Sequence, residues 1–511
     1  MEPFDREAWT EATRQGMAVA YHARRTPDRP AVVAPTGDLT YAELNAAANR
    51  LVRILRARGL TAGDPVAILC SNRAEFVVTF VACNRGGFRI TCVNWHLTPD
   101  EASYIVNDCG AKAFVAEGVA IECDAAVKLA VGGGDLPGFE RWDDVLATEP
   151  DGSDIDDPSL GTAMLYTSGT TGYPKGVRKP PDPDAQVAGI VAYDYKDGDV
   201  HLCTGPLYHA APFQIAMNVP INAGATVVLM PKWEPEETLR LIADHGVTHL
   251  HLVPTMFHRL LALPDDVKAK ADTSTLRLAI HGAAPCPVPV KQGIIEWWGP
   301  IVVEYYAATE GGGTLVDSAT WLTKPGTVGL ADPRLVYVGD EEGERLPTEE
   351  EGLVWMKATG KARFEYFGDE AKTGKTYRGD YFTLGDVGRI DPDGFLFLTD
   401  RSANLIISGG VNIYPAEVDA VLLEHPAVAD VAVIGVPDDE WGERVHAVVE
   451  LKPGASATPE ELLDFCKARL SSFKCPRGVD FTEKLPRDEN GKLYKRRLRD
   501  EYRARAGGSP A

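Results

Sequence analysis

Short apolar runs separated by helical stretches recur through the first half of the chain. One helical stretch is well marked, because Thr40 and Glu43 have the spacing of a capping box and leucines follow at helical intervals. Apolar runs flanked by helical patterns are typical of strands buried in the sheets of an α/β protein. The sequence therefore predicts a large α/β body, with strands that include PVAILC (65–70), AFVAEG (113–118), ATVVLM (225–230) and THLHLV (248–253).

The pattern changes after residue 380. The turn signal PDG at 392–394 lies between two alternating stretches, which predicts a hairpin. It is followed by a helix at 415–428 that opens with Pro415, strands at 431–436 and 445–451, and a helix at 459–470. The sequence therefore predicts two domains, residues 1–400 and a small α+β domain at 401–511.

The chain is acidic, with 52 Lys and Arg against 74 Asp and Glu and a net charge of −22. This charge argues against nucleic acid or an anionic membrane as the main partner. The nine cysteines include no C-x-x-C pair, so we expect neither a zinc site nor a disulfide framework, and predict reduced thiols. No run approaches the roughly 20 apolar residues of a membrane span, and the first residues lack an apolar core. We therefore predict a cytoplasmic protein without stable membrane insertion.

Glycines, hydroxyl side chains and one lysine are concentrated in YTSGTTGYPKGV at 166–177. Backbone amides freed by glycine, the hydroxyl groups and the ammonium can all bind phosphate oxygens. The stretch is not a P-loop, because Lys175 precedes Gly176 and no hydroxyl residue follows that pair. A polar surface loop is the alternative interpretation. The candidate phosphate-binding residues are Thr167, Ser168, Gly169, Thr170, Thr171, Gly172 and Lys175.

A series of short motifs runs along the chain. They are YTSGTTGYPKGV (166–177), PLYH (206–209), HGAAP (281–285), YYAATE (305–310), KPGTVG (324–329), LGD (384–386), DRSANLIISGGVNIYPAEVD (400–419), GVPDDEWGE (435–443) and NGK (490–492). Their order resembles that of the adenylate-forming superfamily, which includes acyl-CoA synthetases, non-ribosomal adenylation domains and firefly luciferase. The resemblance extends from about Thr40 to Arg499. It implies a large N-terminal domain of stacked sheets, a small mobile α+β C-terminal domain, and an activity that joins a carboxylate to AMP.

The resemblance implies roles for the nucleotide-binding residues. In YYAATE, Tyr306 offers a face for adenine, Thr309 a hydroxyl for phosphate and Glu310 a hard oxygen ligand for Mg²⁺. Asp386 matches an aspartate that accepts hydrogen bonds from both ribose hydroxyls, and Arg401 matches a second ribose contact. The other face of adenine would lie against small residues, which are Gly282, Ala283 and Ala284.

Lys492 matches the lysine that the family inserts into the adenylation site from the C-terminal domain. A carboxylate attacking the α-phosphate brings two anions together, so positive charge beyond Mg²⁺ is needed. The implied products are acyl-AMP and pyrophosphate. Gly409 and Gly410 match the family's tunnel for pantetheine. Because free CoA and the arm of a carrier protein share pantetheine, the tunnel does not choose between these acceptors.

The stretch at 203–224 bears on the identity of the acyl substrate, and it contains no acidic residue. An amino-acid substrate would leave its ammonium unpaired there, so an uncharged acyl tail fits better. His209 resembles the family histidine at the entrance to the acyl site. The further candidates for pocket walls are Phe213, Tyr305, Gly311, Gly312 and Gly313, and the three glycines suggest a broad cavity. Fatty acids and bulky polycyclic acids, such as steroid, bile or diterpenoid acids, are the substrates that the resemblance favours.

One departure from the family pattern concerns the hinge between the two domains. The family shows Arg-x-(Asp or Lys)-Asp where this chain has Arg401, Ser402, Ala403 and Asn404, so the hinge position is Ala403. Alanine cannot make the polar contacts of the usual hinge residue. We therefore expect the rotation between the two half-reactions either to pivot at a neighbour or to favour one state. A milder change is Ala307, which stands where glycine is usual.

Together these features predict an ATP-, Mg²⁺- and CoA-dependent ligase that converts an apolar carboxylic acid into its acyl-CoA, with a place in lipid or terpenoid metabolism. The alternatives are an acyl-AMP ligase that loads a carrier protein, a luciferase-like oxygenase, and a nucleotide-binding regulatory protein without catalysis. Glu310 and Lys492 argue against the last. We expect no nucleic acid partner, and the oligomeric state stays open, with a homodimer among the alternatives.

Overall fold

Within the described part of the chain, the strands form five β-sheets. The structure is a computed structural model that describes residues 3–167, 174–401, 404–408, 411–438, 441–488 and 493–505. Its sheets and covering helices confirm the predicted α/β class, with a large N-terminal part of several sheets and a smaller C-terminal sheet. Strands and helices are numbered in chain order.

The strands share the short lengths expected of sheets in an α/β protein. They are β1 (Pro30–Val33), β2 (Leu39–Thr40), β3 (Pro65–Leu69), β4 (Arg89–Cys92), β5 (Ala113–Glu117), β6 (Val127–Val131), β7 (Glu140–Arg141), β8 (Thr162–Ala163), β9 (Leu165–Thr167), β10 (Lys175–Arg178), β11 (Val200–Cys203), β12 (Thr226–Leu229), β13 (His249–Leu252), β14 (Leu278–His281), β15 (Val302–Ala308), β16 (Gly311–Asp317), β17 (Gly329–Leu330), β18 (Val336–Gly339), β19 (Gly352–Lys357), β20 (Glu365–Tyr366), β21 (Tyr377–Arg378), β22 (Tyr381–Phe382), β23 (Asp386–Ile390), β24 (Phe395–Arg401), β25 (Ile406–Ser408), β26 (Val411–Ile413), β27 (Val428–Asp438), β28 (Gly442–Leu451) and β29 (Gly478–Phe481).

The helices connect and cover these strands. They are α1 (Arg6–Arg14), α2 (Ala18–Arg25), α3 (Tyr41–Ala57), α4 (Ala74–Gly86), α5 (Pro99–Asp108), α6 (Trp142–Ala147), α7 (Pro183–Val191), α8 (Val219–Ala223), α9 (Pro235–His245), α10 (Pro254–Leu261), α11 (Asp265–Lys270), α12 (Val288–Trp298), α13 (Ser318–Thr323), α14 (Glu370–Thr376), α15 (Pro415–Leu423), α16 (Pro459–Lys467) and α17 (Lys495–Arg505). A π-helical segment at Pro212–Asn218 runs directly into α8, and a 3₁₀ turn lies at Gly360–Ala362.

Two large sheets form the N-terminal body. The first has eight strands in the order β16-β15-β14-β13-β11-β12-β1-β2 and is parallel except at its two edge strands. The second has six parallel strands in the order β7-β6-β5-β3-β4-β8. The four apolar runs predicted as strands are β3, β5, β12 and β13, and their apolar side chains are buried in the core. Carboxyl ends of parallel strands such as β14 and β15 are where ligands bind in open α/β sheets.

The predicted capping box at the start of α3 is confirmed. The Thr40 hydroxyl accepts from the backbone N–H of Glu43, and the Glu43 carboxylate accepts from the backbone N–H of Thr40. A cap of this kind stabilises a helix by about 1 kcal/mol. The predicted apolar face is buried in the core through Leu44, Ala48, Leu51 and Leu55.

Two smaller sheets complete the N-terminal part. One has three strands, β20-β10-β9, and the other has seven, in which β18 joins the path β17-β24-β23-β19-β22-β21 through β19. The predicted hairpin is confirmed, because β23 and β24 pair antiparallel around the PDG turn. Gly394 has a φ of +88° in that turn, a conformation that favours glycine.

The C-terminal sheet contains β25 to β29, with α15, α16 and α17 packed beside it. The strands predicted at 431–436 and 445–451 lie within β27 and β28. Helix α15 begins at Pro415 as predicted but ends at Leu423, short of the predicted residue 428. The reason is Pro426, since the residue before a proline is disfavoured in helical conformation. Helix α16 likewise ends three residues earlier than predicted, at Lys467.

All nine cysteines are unpaired, and seven of them are buried, which agrees with the expected absence of a disulfide framework. In the described ranges, none of the helices combines the length and apolar character needed to cross a bilayer.

Candidate active site

The glycine and hydroxyl stretch connects two paired strands. Thr167 ends β9, Lys175 begins β10, and the two residues face each other across the antiparallel pair. The Lys175 ammonium lies 3.5 Å from a carboxylate oxygen of Asp369. Five of the predicted phosphate-binding residues lie outside the described residues, and they are Ser168, Gly169, Thr170, Thr171 and Gly172.

Thr309 and Glu310 form the turn between β15 and β16, at the carboxyl end of β15. Glu310 is buried, and its Oε1 accepts a hydrogen bond of 2.9 Å from the hydroxyl of Tyr366 on β20. Burial and the neighbouring Glu310 carboxylate both raise the pKa of Tyr366, so this tyrosine stays a neutral donor. The hydrogen bond fixes one carboxylate oxygen. Glu310 therefore presents a hard anionic ligand in an oriented position.

Tyr306 and Asp386 are in direct contact. The Tyr306 hydroxyl donates a hydrogen bond of 2.8 Å to Oδ2 of Asp386, which is buried at the start of β23. The two residues are 80 positions apart in sequence and come from different sheets. The backbone of Arg401, at the end of β24, lies opposite Asp386 in the pairing of β23 with β24. The structure thus brings Tyr306, which was predicted to face adenine, together with Asp386, which was predicted to bind ribose.

The segment at 282–284 follows β14 and packs against the neighbouring strand. A Cβ on Gly282 would lie only 2.5 Å from Cζ of Tyr305, so only glycine allows this approach. Ala283 has a φ of +68°, which is unfavourable for a residue with a side chain. A conformation of this kind costs about 1 to 3 kcal/mol and clusters at functional sites. Ala284 completes the small-residue segment.

Tyr305 is half-buried on the other face of β15 from Tyr306. Its hydroxyl lies 3.0 Å from Nε2 of His251 on β13. Burial lowers the pKa of His251 to about 4, so its imidazole is neutral near pH 7. The Tyr305 side of the strand is therefore polar but uncharged at this contact.

The other predicted pocket residues have varied surroundings. Nε2 of His209 lies 3.7 Å from Oδ2 of Asp488, which brings a residue from the C-terminal part of the chain beside the PLYH motif. Phe213 is buried and packs edge-on against Phe80, with 5.3 Å between ring centroids.

Lys492 follows Asp488 by four positions but lies outside the described residues, as do Gly409, Gly410 and the hinge residue Ala403.

The three glycines at the start of β16 have neighbours close by. All have positive φ, and an added Cβ on Gly312 would lie 2.6 Å from Sδ of Met356. On Gly313 it would lie 1.6 Å from the carbonyl oxygen of Tyr306, and on Gly311 3.1 Å from Nζ of Lys179. These glycines accommodate adjacent protein atoms, and the broad cavity expected from the three glycines stays a prediction.

Four side chains at the site were not predicted from sequence. Tyr366, Asp369 and His251 lie outside the recognised motifs, and nothing in their local sequence marks them. Asp488 could have been considered, because it stands in the segment that leads to NGK. The contact partners of Glu310, Lys175 and Tyr305 thus emerge only from the tertiary structure.

Comparison with known proteins places this arrangement in a family. The model of the AMP-binding enzyme family matches residues 19–364, and that of the AMP-binding enzyme C-terminal domain matches residues 417–492. The chain belongs to the AMP-binding enzyme family, which is the adenylate-forming superfamily that the motifs indicated. It is an AMP-forming ligase that activates carboxylic acids.

Its relatives include ligases with different acyl acceptors. A fatty acid–[acyl-carrier-protein] ligase, ScoC of Streptomyces coeruleorubidus, is 34% identical over 94% of this chain and 95% of that protein. A long-chain-fatty-acid–CoA ligase, FadD13 of Mycobacterium tuberculosis, is 32% identical over 96% and 98%. Among solved structures, ATP-bound MatB from Rhodopseudomonas palustris has 31% identity and a TM-score of 0.78, over 95% of this chain and 99% of that one.

Proposed function

We propose that this protein is an ATP- and Mg²⁺-dependent acyl-CoA ligase for an apolar carboxylic acid. In the first half-reaction the carboxylate attacks the α-phosphate of ATP, which yields acyl-AMP and releases pyrophosphate. In the second, the thiol of CoA attacks the acyl carbonyl, which yields the thioester and releases AMP. The observation that carries the proposal is the hydrogen bond between Tyr306 and Asp386, with the buried Glu310 at the carboxyl end of the strand that bears Tyr306. An aromatic face, a hydrogen-bond acceptor and a hard carboxylate are the groups that adenine, ribose and Mg²⁺ would need there.

Each part of the nucleotide has candidate ligands in this proposal. Adenine stacks between Tyr306 and the segment at 282–284, and Asp386 and Arg401 bind the ribose. The phosphates are bound by the stretch at 166–177 and by Thr309. The small residues beside Tyr305 and the acceptor geometry of Asp386 support these roles.

Glu310 would hold Mg²⁺. The chemistry of the residue fits the ion, since a buried carboxylate with one oxygen oriented by Tyr366 is the kind of ligand that Mg²⁺ prefers. When bound, the ion neutralises charge on the phosphates. Glu310 itself contributes a fixed negative charge, and Tyr366 keeps that charge in one orientation.

In this proposal the chain has two domains with a boundary near residue 400. The domains take up one arrangement for adenylation and another for thioester formation. Lys492 would supply positive charge to the α-phosphate during adenylation. The hinge would lie at or beside Ala403. The contact between His209 and Asp488 supports an arrangement in which the C-terminal part of the chain lies next to the acyl entrance.

An apolar substrate is supported by the charges around the acyl side. The stretch at 203–224 has no acidic residue, and the hydrogen-bonded pair of Tyr305 with His251 is neutral at pH 7. An ammonium or a second carboxylate would find no partner of opposite charge within these residues, and the Asp488 carboxylate beside them is already in contact with His209. Fatty or bulky polycyclic acids therefore fit better than amino acids.

A carrier protein is the second candidate acceptor, and one specific observation favours it. ScoC, which loads fatty acids on an acyl carrier protein, is as similar to this chain as the CoA ligases are. Gly409 and Gly410, as residues for a pantetheine tunnel, would serve either acceptor.

The experiment that tests the proposal measures pyrophosphate release from ATP with a panel of fatty, aromatic, bile and terpenoid acids. Each acid is assayed alone, with CoA and with a phosphopantetheinyl carrier protein. Acid-dependent pyrophosphate and AMP together with an acyl-CoA support the proposed function. A thioester formed on the carrier protein but not on CoA would support the second candidate, and formation of ADP would contradict both.

A further inference from the structure

Lys179 lies one residue after β10, just beyond the glycine and hydroxyl stretch. Its side chain reaches across to the turn between β15 and β16. There Nζ donates a hydrogen bond of 3.3 Å to the backbone carbonyl oxygen of Thr309. The lysine thus joins the segment that was predicted to bind phosphate to the turn that carries Thr309 and Glu310.

The Lys179 ammonium is only partly satisfied by protein atoms. An ammonium has three N–H donors, and the carbonyl of Thr309 takes one of them. Among the described residues, no carboxylate forms an ion pair with Lys179 within 4.0 Å, and the Glu310 carboxylate is the anionic group that acts on it through space. Two N–H groups of the ammonium are therefore left for a ligand.

Gly311 makes room for this lysine. Gly311 follows Glu310, has a φ of +119°, and would place an added Cβ 3.1 Å from Nζ of Lys179. A larger residue would push the ammonium away from the turn. The lysine and the glycine therefore form one arrangement, in which the ammonium reaches the backbone of the turn beside Glu310.

Lys175, four residues earlier, has a different environment. Its ammonium lies 3.5 Å from the Asp369 carboxylate, so the protein already provides its counter-charge. Lys179 has no such partner among the described residues. Of these two lysines, Lys179 is the one with donors left for a ligand.

We propose that Lys179 is a further phosphate-binding residue of the adenylation site. It anchors the Thr309 carbonyl with one N–H and offers the other two to a phosphate oxygen of ATP. This inference rests on the proposed function, because it takes Thr309 and Glu310 as the turn that faces the phosphates. A charge-assisted hydrogen bond of this kind is about twice as strong as a neutral one.

The test is equilibrium binding, measured by calorimetry on the full-length chain with Mg²⁺. No carboxylic acid is added, so that no substrate carboxylate competes with the phosphates of ATP. The ligands are ATP and adenosine. The variants are Lys179→Met, which removes both the charge and the donors, Lys179→Gln, which keeps a donor for the Thr309 carbonyl, and Lys179→Arg, which keeps the charge. The control is Lys270→Met, because Lys270 is exposed on α11 and pairs with Asp266.

We expect Lys179→Met to weaken ATP binding by about tenfold or more and adenosine binding by less than about twofold. Lys179→Gln should lose nearly as much ATP affinity, whereas Lys179→Arg and Lys270→Met should stay close to the wild type. If Lys179→Met does not fold, the Gln and Arg variants carry the same comparison.

Unchanged ATP affinity in Lys179→Met or Lys179→Gln would overturn the inference, and so would an equal loss for ATP and adenosine, since that pattern means a structural role. Failure of the proposed function would give a different result from failure of this inference. A wild-type protein that binds ATP but releases no pyrophosphate with any acid would refute the ligase while leaving the phosphate contact intact.

Discussion

Two consecutive residues of β15, Tyr305 and Tyr306, point to opposite faces of the strand and have opposite kinds of partner. Tyr306 donates to a buried carboxylate, Asp386, whereas Tyr305 shares its hydroxyl with a neutral histidine, His251. Side chains alternate across a strand, so one element can serve two sites. The difference teaches that the face proposed for the nucleotide carries a fixed charge at this contact, whereas the face proposed for the acyl group has an uncharged polar pair.

The largest effect should come from Lys492→Ala. This variant tests the adenylation step itself, because Lys492 belongs to neither face of β15. We expect adenylation to slow by about 1,000-fold, because one electrostatic stabiliser of the transition state is lost. Thioester formation from supplied acyl-AMP should be much less affected. The measurement is single-turnover kinetics of each half-reaction, and an equal loss in both would show that the role given to Lys492 is wrong.

Asp386→Ala tests the charged side of the comparison. It removes the proposed acceptor of the ribose hydroxyls and leaves the Tyr306 hydroxyl without this partner. We expect kcat/KM for ATP to fall by about 100-fold, because hydrogen bonds to charged groups contribute about 1.5 to 3 kcal/mol each. The KM for the acid should stay unchanged. The control is Asp393→Ala, at the exposed turn of the same hairpin. If Asp386→Ala weakened acid binding instead of ATP binding, the assignment of the two faces would be wrong.

Glu310→Gln tests the same charged face, because glutamine keeps the size and shape of the side chain but removes its charge. Glutamine can still accept from the Tyr366 hydroxyl but is a poor ligand for Mg²⁺. We expect the Mg²⁺ concentration for half-maximal pyrophosphate release to rise by about 30-fold. Tyr366→Phe, which removes only the orienting hydrogen bond, should have a smaller effect. An unchanged Mg²⁺ requirement in the glutamine variant would remove Glu310 from the metal site.

Tyr305→Phe and Tyr305→Ala test the uncharged side. The phenylalanine variant leaves Nε2 of buried His251 without its hydroxyl partner, so we expect the free energy of unfolding to fall by about 1 to 2 kcal/mol. The alanine variant removes the ring that packs against Gly282 and should shift acid preference towards bulkier substrates. The phenylalanine variant, which keeps the ring against Gly282, should not change the KM for ATP. Chemical denaturation and the acid panel check these outcomes, with Tyr337→Phe as the control for loss of a tyrosine hydroxyl elsewhere.

The smallest expected effect on catalysis belongs to His251, whose burial affects the pH dependence of stability. Burial lowers the pKa of His251 from 6.5 to about 4, so the unfolded chain binds this proton more readily than the folded one. The contribution to stability is present above pH 6.5 and is lost as the pH falls towards 4. We expect His251→Gln to reduce the slope of unfolding free energy against pH in this window by up to about 1.4 kcal/mol per pH unit. A slope in His251→Gln equal to that of the wild type would contradict the neutral buried state of His251.

The sequence could predict those features that depend on local patterns. The buried strands at 65–70 and 248–253, the cap of α3 and the hairpin around 392–394 are each specified by neighbouring residues, and the structure confirms them. The class of enzyme could also be predicted, because it rests on the order of motifs along the chain.

The contacts at the site could not be predicted, because they join residues far apart in sequence. Glu310 meets Tyr366 across 56 positions, and Tyr306 meets Asp386 across 80. Such pairs are set by how sheets pack, which no local pattern specifies. The end of α15 was placed too late for a related reason, since its apolar spacing continues past the residue where Pro426 stops the helix.

The measurement that tests the central claim most directly is the acid-dependent fate of ATP. With a fatty or polycyclic acid and CoA, the account predicts stoichiometric AMP, pyrophosphate and acyl-CoA, and acyl-AMP with pyrophosphate when CoA is left out. Formation of ADP and phosphate, or absence of pyrophosphate release and exchange across the whole acid panel, would contradict it.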